Sequence, residues 1–296
     1  MATPESPVSI DIQKTMNLKV VTWNVNGIRS RIFNDKISSK LKKNELMDIQ
    51  EKSPIDILIK EHDPDIICLQ ETRCSLAISK NFKIPGYNSY FNESKSSGAR
   101  APERYSGTCI FYKEHLNLLE TSEQIPEYED TEGRIIVARF DNFTLVNVYA
   151  PNSGSNYDKK IKFIDSMLNY LDSLESKVIF CGDLNIAVAT HFDIKSTIPM
   201  PGIYSHELEF YDKLLKINYK DCIENDEIVF TWWDTRREKE NGMSIARNRN
   251  LGWRLDYFFT KNFNQVSSKC LKYIGENNES IPLASDHAPV LLNVIY

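Results

Sequence analysis

The chain has 296 residues, 41% of them hydrophobic and 26% charged, with a formal net charge of −5. That is the make-up of a globular protein large enough to bury about three quarters of its unfolded surface, and its acidic balance speaks against a strong non-specific nucleic-acid binder. No apolar run approaches the roughly 20 residues a membrane span needs, and the first residues lack a charged-then-apolar leader, so an intracellular protein, in nucleus or cytoplasm and without a membrane partner, is expected.

In chain order, residues 1–17 read as a mobile tail and residues 18–296 as one domain. The first strand is LKVVTWNV, Leu18 to Val25. A polar, Lys-rich stretch from Asn34 to Lys60 reads as helix. DIICLQE is a short apolar run that ends in a carboxylate. YNSYFNE and GTCIFYK read as strands flanking the loop SKSSGARAPERYS. RIIVARF and FTLVNVYAP form a hairpin across Asp141 and Asn142. Between Lys159 and Leu174, Ile161, Ile164, Leu168 and Leu171 recur at helical spacing. KVIFCGDLN is a buried strand with a sharp exit at Gly182, a second helix runs from His206 to Leu215, and WRLDYFFT and APVLLNVIY complete the set. Strands and helices alternate without a regular parallel βαβ rhythm, which points to an α/β fold, a mixed α/β sandwich. The six cysteines contain no Cys-x-x-Cys; Cys68, Cys109 and Cys181 sit inside strands, so buried free thiols are expected.

Several strands share one design: an apolar run, then a polar residue at its end. VVTWNVNG carries Asn24 and Asn26, IICLQET carries Glu71, LVNVYAPN carries Tyr149 and Asn152, and VIFCGDLN carries Asp183 and Asn185. GWRLDYFF adds Asp256, and LASDHAPVLL adds Asp286 and His287. Alternate residues on a strand share a face, so Asn24 with Asn26, and Asp183 with Asn185, can point together. Singly, each motif has an ordinary explanation as a turn cap or a structural pair. Together, the carboxylates, carboxamides and one imidazole form a hard, oxygen-rich set that suits Mg²⁺, with Mn²⁺ as a substitute. Such a set can supply the positioned water and the charge neutralisation that phosphodiester hydrolysis requires.

WNVNGIR, DIICLQET, YSGTCIFY, NVYAPNSG, FCGDLN, LGWRLDYFF and ASDHAPV, in this order, closely resemble the exonuclease III type of apurinic/apyrimidinic endonucleases, within the endonuclease/exonuclease/phosphatase superfamily. The likeness runs from about Leu18 to Tyr296. It implies a four-layered α/β sandwich of two mixed sheets flanked by helices, and Mg²⁺-dependent DNA repair cleavage on the 5′ side of an abasic site, with 3′ phosphodiesterase and 3′→5′ exonuclease activity. By this resemblance Glu71 is the main metal ligand, Asn26 and Asp286 complete the metal environment, and Asp183 and Asn185 count among the metal-site residues as well. Asn26 stands where some members have Asp, which lowers the site's negative charge. Asp183 orients or deprotonates the attacking water, held by Asn185 and Asn24. Tyr149 contacts the phosphate. His287, paired with Asp256, stabilises the pentavalent phosphoryl group. The other four histidines read as structural.

The same resemblance makes Trp232, Trp253 and Leu255 the walls of a slot for a base-free sugar, whose extrusion costs least where pairing is already lost. Trp233 reads equally as slot or as core. Between Asp234 and Arg254, six basic residues (Arg236, Arg237, Lys239, Arg247, Arg249, Arg254) face three acidic ones, a net +3 on an acidic protein, and this longer-than-usual loop is expected to grip DNA through Arg236 or Met243. Lys95, Arg100 and Arg104 form a second candidate phosphate clamp, and Asn152 matches a phosphate-contacting position. Ser155 falls where relatives carry an inserting Arg. The expected partner is double-stranded DNA with abasic or 3′-blocked sites, bound by a monomer. The alternative reading is a superfamily phosphodiesterase for a phospholipid, inositol phosphate or RNA, against which the two tryptophans argue; a non-catalytic DNA-binding or redox protein would not need the full polar set.

Overall fold

The computed structural model describes residues 17–33, 47–95, 105–154, 156–223, 229–235, 239–240, 243–271 and 285–295. Two six-stranded sheets form its centre. The first is built from β1 (Asn17–Asn24), β2 (Ile66–Gln70), β3 (Tyr87–Asn92), β4 (Thr108–Lys113), β11 (Gln265–Cys270) and β12 (Val290–Ile295), in the order β11-β12-β1-β2-β4-β3. The second holds β5 (Leu118–Ser122), β6 (Ile135–Phe140), β7 (Thr144–Tyr149), β8 (Val178–Asp183), β9 (Lys220–Asp221) and β10 (Asp256–Lys261), in the order β9-β10-β8-β7-β6-β5.

Both sheets follow one pattern: a parallel central pair with antiparallel strands on either side. β1 and β2 are parallel, as are β7 and β8, while β12 runs antiparallel to β1 and β10 antiparallel to β8. The parallel crossovers contain helices, α1 (Pro54–His62) between β1 and β2 and α2 (Tyr157–Ser173) between β7 and β8. Two βαβ units are therefore present where the sequence showed no regular rhythm; the antiparallel strands between them hide it. Parallel strands finish at the same edge, and antiparallel neighbours begin there. The exits of β1, β2, β7 and β8 and the entries of β10 and β12 thus share one rim.

Apolar side chains fill three spaces. Between the sheets lie Val20, Cys68, Ile110, Leu145, Ile179, Cys181, Phe258 and Leu292. Outside the first sheet, Ile55 and Leu58 of α1 pack with Trp23, Val21 and Leu69. Outside the second, Phe163, Met167 and Leu171 of α2 join Phe210 and Leu214 of α3 (Ser205–Lys216) against Val146, Phe180 and Phe259. Helix, sheet, sheet, helix is the four-layered arrangement expected. All six cysteines are free, and all but the half-buried Cys270 are buried. Among the described residues no helix is long and apolar enough to cross a membrane.

Some expectations are corrected. Asn17 belongs to β1, and the rest of the N-terminal tail lies outside the described residues. Among the described residues of the stretch expected to be helical from Asn34 to Lys60, the helix starts at Pro54: Ser53 caps α1 by accepting from the Asp56 amide at 3.3 Å, and Pro54 fits the first turn, where an amide hydrogen has no partner. Met47–Asp48 is instead a short strand paired with Phe82–Lys83, and residues 34–46 are outside the described set.

Candidate active site

The rim where strand exits and entries meet carries the polar residues singled out above. Asp183 ends β8, with Tyr149 beside it at the end of β7 and Asp256 beside it at the start of β10. Asn24 ends β1 in the opposite sheet and reaches across, donating from Nδ2 to Asp183 Oδ2 at 2.9 Å. A second crossing joins the Tyr149 hydroxyl to Glu71 Oε1. Beneath these, Gln70 Nε2 donates to Asn147 Oδ1 at 2.7 Å and to Thr22 Oγ1 at 2.9 Å, a buried link between the sheets.

The exit turns put side chains at left-handed backbone angles: Asn26 (φ 47°), Glu71 (φ 50°) and Asn185 (φ 49°). Asn tolerates this region; for Glu it is strained, and such strain is concentrated at functional sites. Gly27 N donates to the Glu71 carbonyl at 2.8 Å and so ties two of the turns together.

His287 is buried. Its Nδ1 lies 2.8 Å from Asp256 Oδ2, and its Nε2 lies 3.8 Å from Asp183 Oδ2. Burial works against a charged ring, but Asp256 and then Asp183 outweigh it and push the His287 pKa up to about 10. Asp183 is raised by burial, with Asp256 adding repulsion while His287 and Asn24 oppose the shift. Asp286 is held below the usual carboxylate range: burial would raise it, but His287, the Trp232 indole and Asn26 prevail. Trp232 Nε1 donates to Asp286 Oδ2 at 3.1 Å, and Asn26 Nδ2 to Asp286 Oδ1 at 3.0 Å. Burial, then the Glu71 charge, push the Tyr149 hydroxyl up.

The site opens on one cavity of about 480 Å³, lined by Asn26, Glu71, Tyr149, Asn152, Asp183, Asn185, Asp286 and His287, and on its apolar side by Trp232, Trp253 and Leu255. Asn24 and Asp256 lie behind it as buried supports. Asn152 Nδ2 donates to Asn185 Oδ1 at 3.3 Å. The Trp232 and Trp253 rings meet edge to face at 5.9 Å. Trp233 is core, packed with Phe230 and Ala288. The expected DNA grip is only partly described. Arg104, Arg100, Ser155 and Arg236 lie outside the described residues, as does the side chain of Met243. Lys95 pairs with Glu123 at 2.7 Å. Arg254 does not belong to a surface patch: it is buried, lies over the Tyr257 ring at 4.8 Å and is paired with Asp221, which offsets the cost of burying its charge. Arg247 lies over the Trp233 ring at 4.6 Å and donates to the Ser285 carbonyl.

Several residues at the site carried little or no signal in the sequence. Arg73 lines the cavity and donates to Glu71; its place two residues after the strand-end carboxylate was the available hint. Buried Arg134 lies 4.6 Å from the Tyr149 ring centroid and donates to the Tyr149 carbonyl at 3.0 Å. Thr231 Oγ1 accepts from the amides of Leu255 and Asp256, and Ser285 Oγ donates to the Asn24 carbonyl at 2.6 Å.

A two-sheet sandwich with this carboxylate-rich, His–Asp-backed cavity at its rim defines a phosphoester hydrolase. The sequence matches the description "Endonuclease/Exonuclease/phosphatase family" over residues 21–287, and the chain belongs to that family, in its exonuclease III-type apurinic/apyrimidinic endonuclease branch. It is 30% identical to an exodeoxyribonuclease of Bacillus subtilis, over 93% of this chain and 98% of that one. It is also 30% identical to the DNA repair nuclease APEX1 of Danio rerio, over 98% of this chain and 86% of the relative. An AP endonuclease structure from Archaeoglobus fulgidus superposes with a TM-score of 0.66 at 24% identity, covering 93% of this chain and 98% of that one, a likeness of fold.

Proposed function

We propose that the protein is a Mg²⁺-dependent DNA repair nuclease that hydrolyses the phosphodiester on the 5′ side of abasic sites in duplex DNA and also removes 3′ blocks and 3′ nucleotides. The observation that carries this reading is the union, in one cavity, of a hard-oxygen cluster, an Asp183–His287 pair and an indole-walled apolar recess. The names of the relatives, an exodeoxyribonuclease and a DNA repair nuclease, support it.

The donor set fits a divalent cation. Glu71, Asp286 and the Asn26 carboxamide offer oxygens in the same cavity, and the Asp286 carboxyl is held in its charged form. Glu71, Asn26 and Asp286 would hold the ion. Its chemistry there is to neutralise phosphate charge. Asp183 takes the proton of the attacking water; its raised pKa suits a base working near neutrality. Asn24 Nδ2 and the Asn185 amide, at 2.9 and 2.8 Å, fix the two Asp183 oxygens so that the base has one orientation. His287, kept protonated by Asp256, presents Nε2–H to the phosphoryl oxygens as charge develops. Tyr149 offers its hydroxyl to the same phosphate. Trp232, Trp253 and Leu255 receive the base-free sugar; a nucleotide that still carries a base is too large to pass between the indole walls.

The test is incubation with Mg²⁺ of an abasic duplex, a recessed 3′ end, a 3′-blocked nick, sphingomyelin and an inositol phosphate. Incision 5′ of the abasic site, abolished by EDTA, is expected. Hydrolysis of the lipid or the inositol phosphate with the DNAs left intact would overturn the reading.

A further inference from the structure

Lys160, in the first turn of α2, is 0% exposed, and lysine is almost never fully buried without a partner. Position 160 falls on the helix face shared with Phe163, Ile164, Met167 and Leu171, where an apolar side chain would be ordinary. The Lys160 ammonium instead donates to the carbonyl of Leu184, and its Nζ lies 3.4 Å from the carbonyl of Asn185. Those are the two residues that follow Asp183.

The turn they form needs holding. Gly182 (φ 131°) and Asn185 (φ 49°) bracket Asp183 with left-handed backbone, so the strand ladder ends abruptly there. Buried carbonyls at such a kink require donors from elsewhere. The turn's outward groups are engaged: Leu184 N with the Leu255 carbonyl at 2.9 Å, Asn185 N with Asp183 Oδ1 at 2.8 Å, and Asn185 Nδ2 with the Ala150 carbonyl at 2.9 Å. Its inward carbonyls are served by Lys160. Burial lowers the pKa of this ammonium to about 8, with Glu207 and Asp183 pulling the other way. Glu207 is itself buried and accepts from Ser153 Oγ and from the Tyr204 amide. If packing alone were needed, a methionine of similar length would fill the space at less desolvation cost.

We propose that Lys160 is a positioning residue for the reaction: by gripping the carbonyls of Leu184 and Asn185 it sets the turn that aims the Asp183 carboxylate and the Asn185 side chain. This rests on the reading of Asp183 and Asn185 as parts of the catalytic centre, and not on which phosphoester is cut.

The full chain is compared as wild type, Lys160→Met, Lys160→Arg, Asn185→Ala and the Lys160→Met/Asn185→Ala double variant. The substrate is whichever of abasic duplex, recessed 3′ end or bis(p-nitrophenyl) phosphate the wild type cleaves, so a wild type inert on abasic DNA sinks the substrate reading alone. Lys160→Met is expected to lower kcat about 100-fold, the scale of a misplaced catalytic group, with KM changed less than about threefold. Lys160→Arg is expected to recover about tenfold of that loss, since it keeps a charged donor. In the Asn185→Ala background, Lys160→Met adds less than about threefold, because both act on one turn. Lys160→Gln replaces Lys160→Met, under the same criteria, if the latter melts below the assay temperature. Wild-type kcat in the neutral variant, a loss confined to KM, or a fully additive double variant would each overturn the proposal.

Discussion

Asp256→Asn removes one charge and almost no volume from behind His287. In the wild type, Nδ1 lies 2.8 Å from Asp256 Oδ2 with both groups buried. A hydrogen bond to a charged partner contributes about 1.5–3 kcal/mol, which at about 1.4 kcal/mol per decade corresponds to roughly 10- to 150-fold in kcat. Two further effects push toward the upper end. Asp256 is the first among the groups that raise the His287 pKa to about 10, so an amide there leaves burial to pull the ring toward neutrality. Asp256 Oδ1 also has no hydrogen-bond partner among the described residues, so an amide either buries an unsatisfied NH₂ at that spot or turns it on Nδ1 and reverses the imidazole tautomer. Stability should respond little, since Asp183, Asp256 and His287 lie within 4.8 Å of one another and one of two carboxylates is neutralised. The assays are single-turnover cleavage from pH 6 to pH 10 and a thermal melt. A drop of about 100-fold at pH 7.5, an alkaline limb moved to lower pH and a melt within about 3 °C of wild type are expected. A variant cleaving within about threefold of wild type across that range would refute the argument.

For the wild type, a base with a raised pKa must be deprotonated to act, so log(kcat/KM) at saturating Mg²⁺ should climb until about pH 7 and stay level until His287 begins to lose its proton near pH 10. A flat profile down to pH 5 would contradict the role given to Asp183. Asn26→Asp sets a second carboxylate about 3 Å from Asp286 Oδ1, a repulsion of a few kcal/mol at an effective dielectric near 20. The variant should melt lower in EDTA, recover with Mg²⁺, and reach half-maximal activity at roughly tenfold lower Mg²⁺; superimposable Mg²⁺ titrations would count against a cation at this corner. Gly182→Ala forces a side chain into φ 131° and drives its Cβ into the Val148 carbonyl of the neighbouring strand. A loss of about 4 kcal/mol or more, a melting drop of about 6 °C or more, is expected, and a wild-type melt would show that the strand exit relaxes freely.

How much of this could be read in the sequence depends on where a residue's partner lies. Glu71, Tyr149, Asp183 and His287 each interrupt an apolar strand at its end, where a polar group demands an explanation within the motif itself, and all four line the cavity. Asp256 gave the same signal. Gln70, Asn147, Arg134 and Lys160 gave none, although each is buried and hydrogen-bonded at the site. Gln70, Asn147 and Lys160 meet their partners on another sheet or another layer, and Arg134 meets Tyr149 at the end of the neighbouring strand, so their polarity has a meaning only once strands and layers are assembled. Arg254 misled in the opposite direction: a run of basic residues suggested a surface, but this one lies buried just before β10, paired with Asp221. The paired βαβ units escaped notice because antiparallel strands lie in sequence between one unit and the other.

The division of labour between the two kinds of contact follows from their directionality. Val20, Ile110, Leu145, Ile179 and Phe258 hold the sheets together through an area-dependent attraction that is insensitive to a small slide of one sheet over the other. The rim is sensitive to such a slide. Asn24 must meet Asp183 at 2.9 Å, Gln70 must meet Asn147 at 2.7 Å, and Tyr149 must meet Glu71, each across the gap between sheets. A shift of about 1 Å would break all three and leave buried amides unpaired, at roughly 1–3 kcal/mol apiece. These bonds therefore select one sheet-to-sheet alignment out of several that the apolar core would accept. The selected alignment is the one in which the ends of β1, β2, β7 and β8 converge on a single cavity.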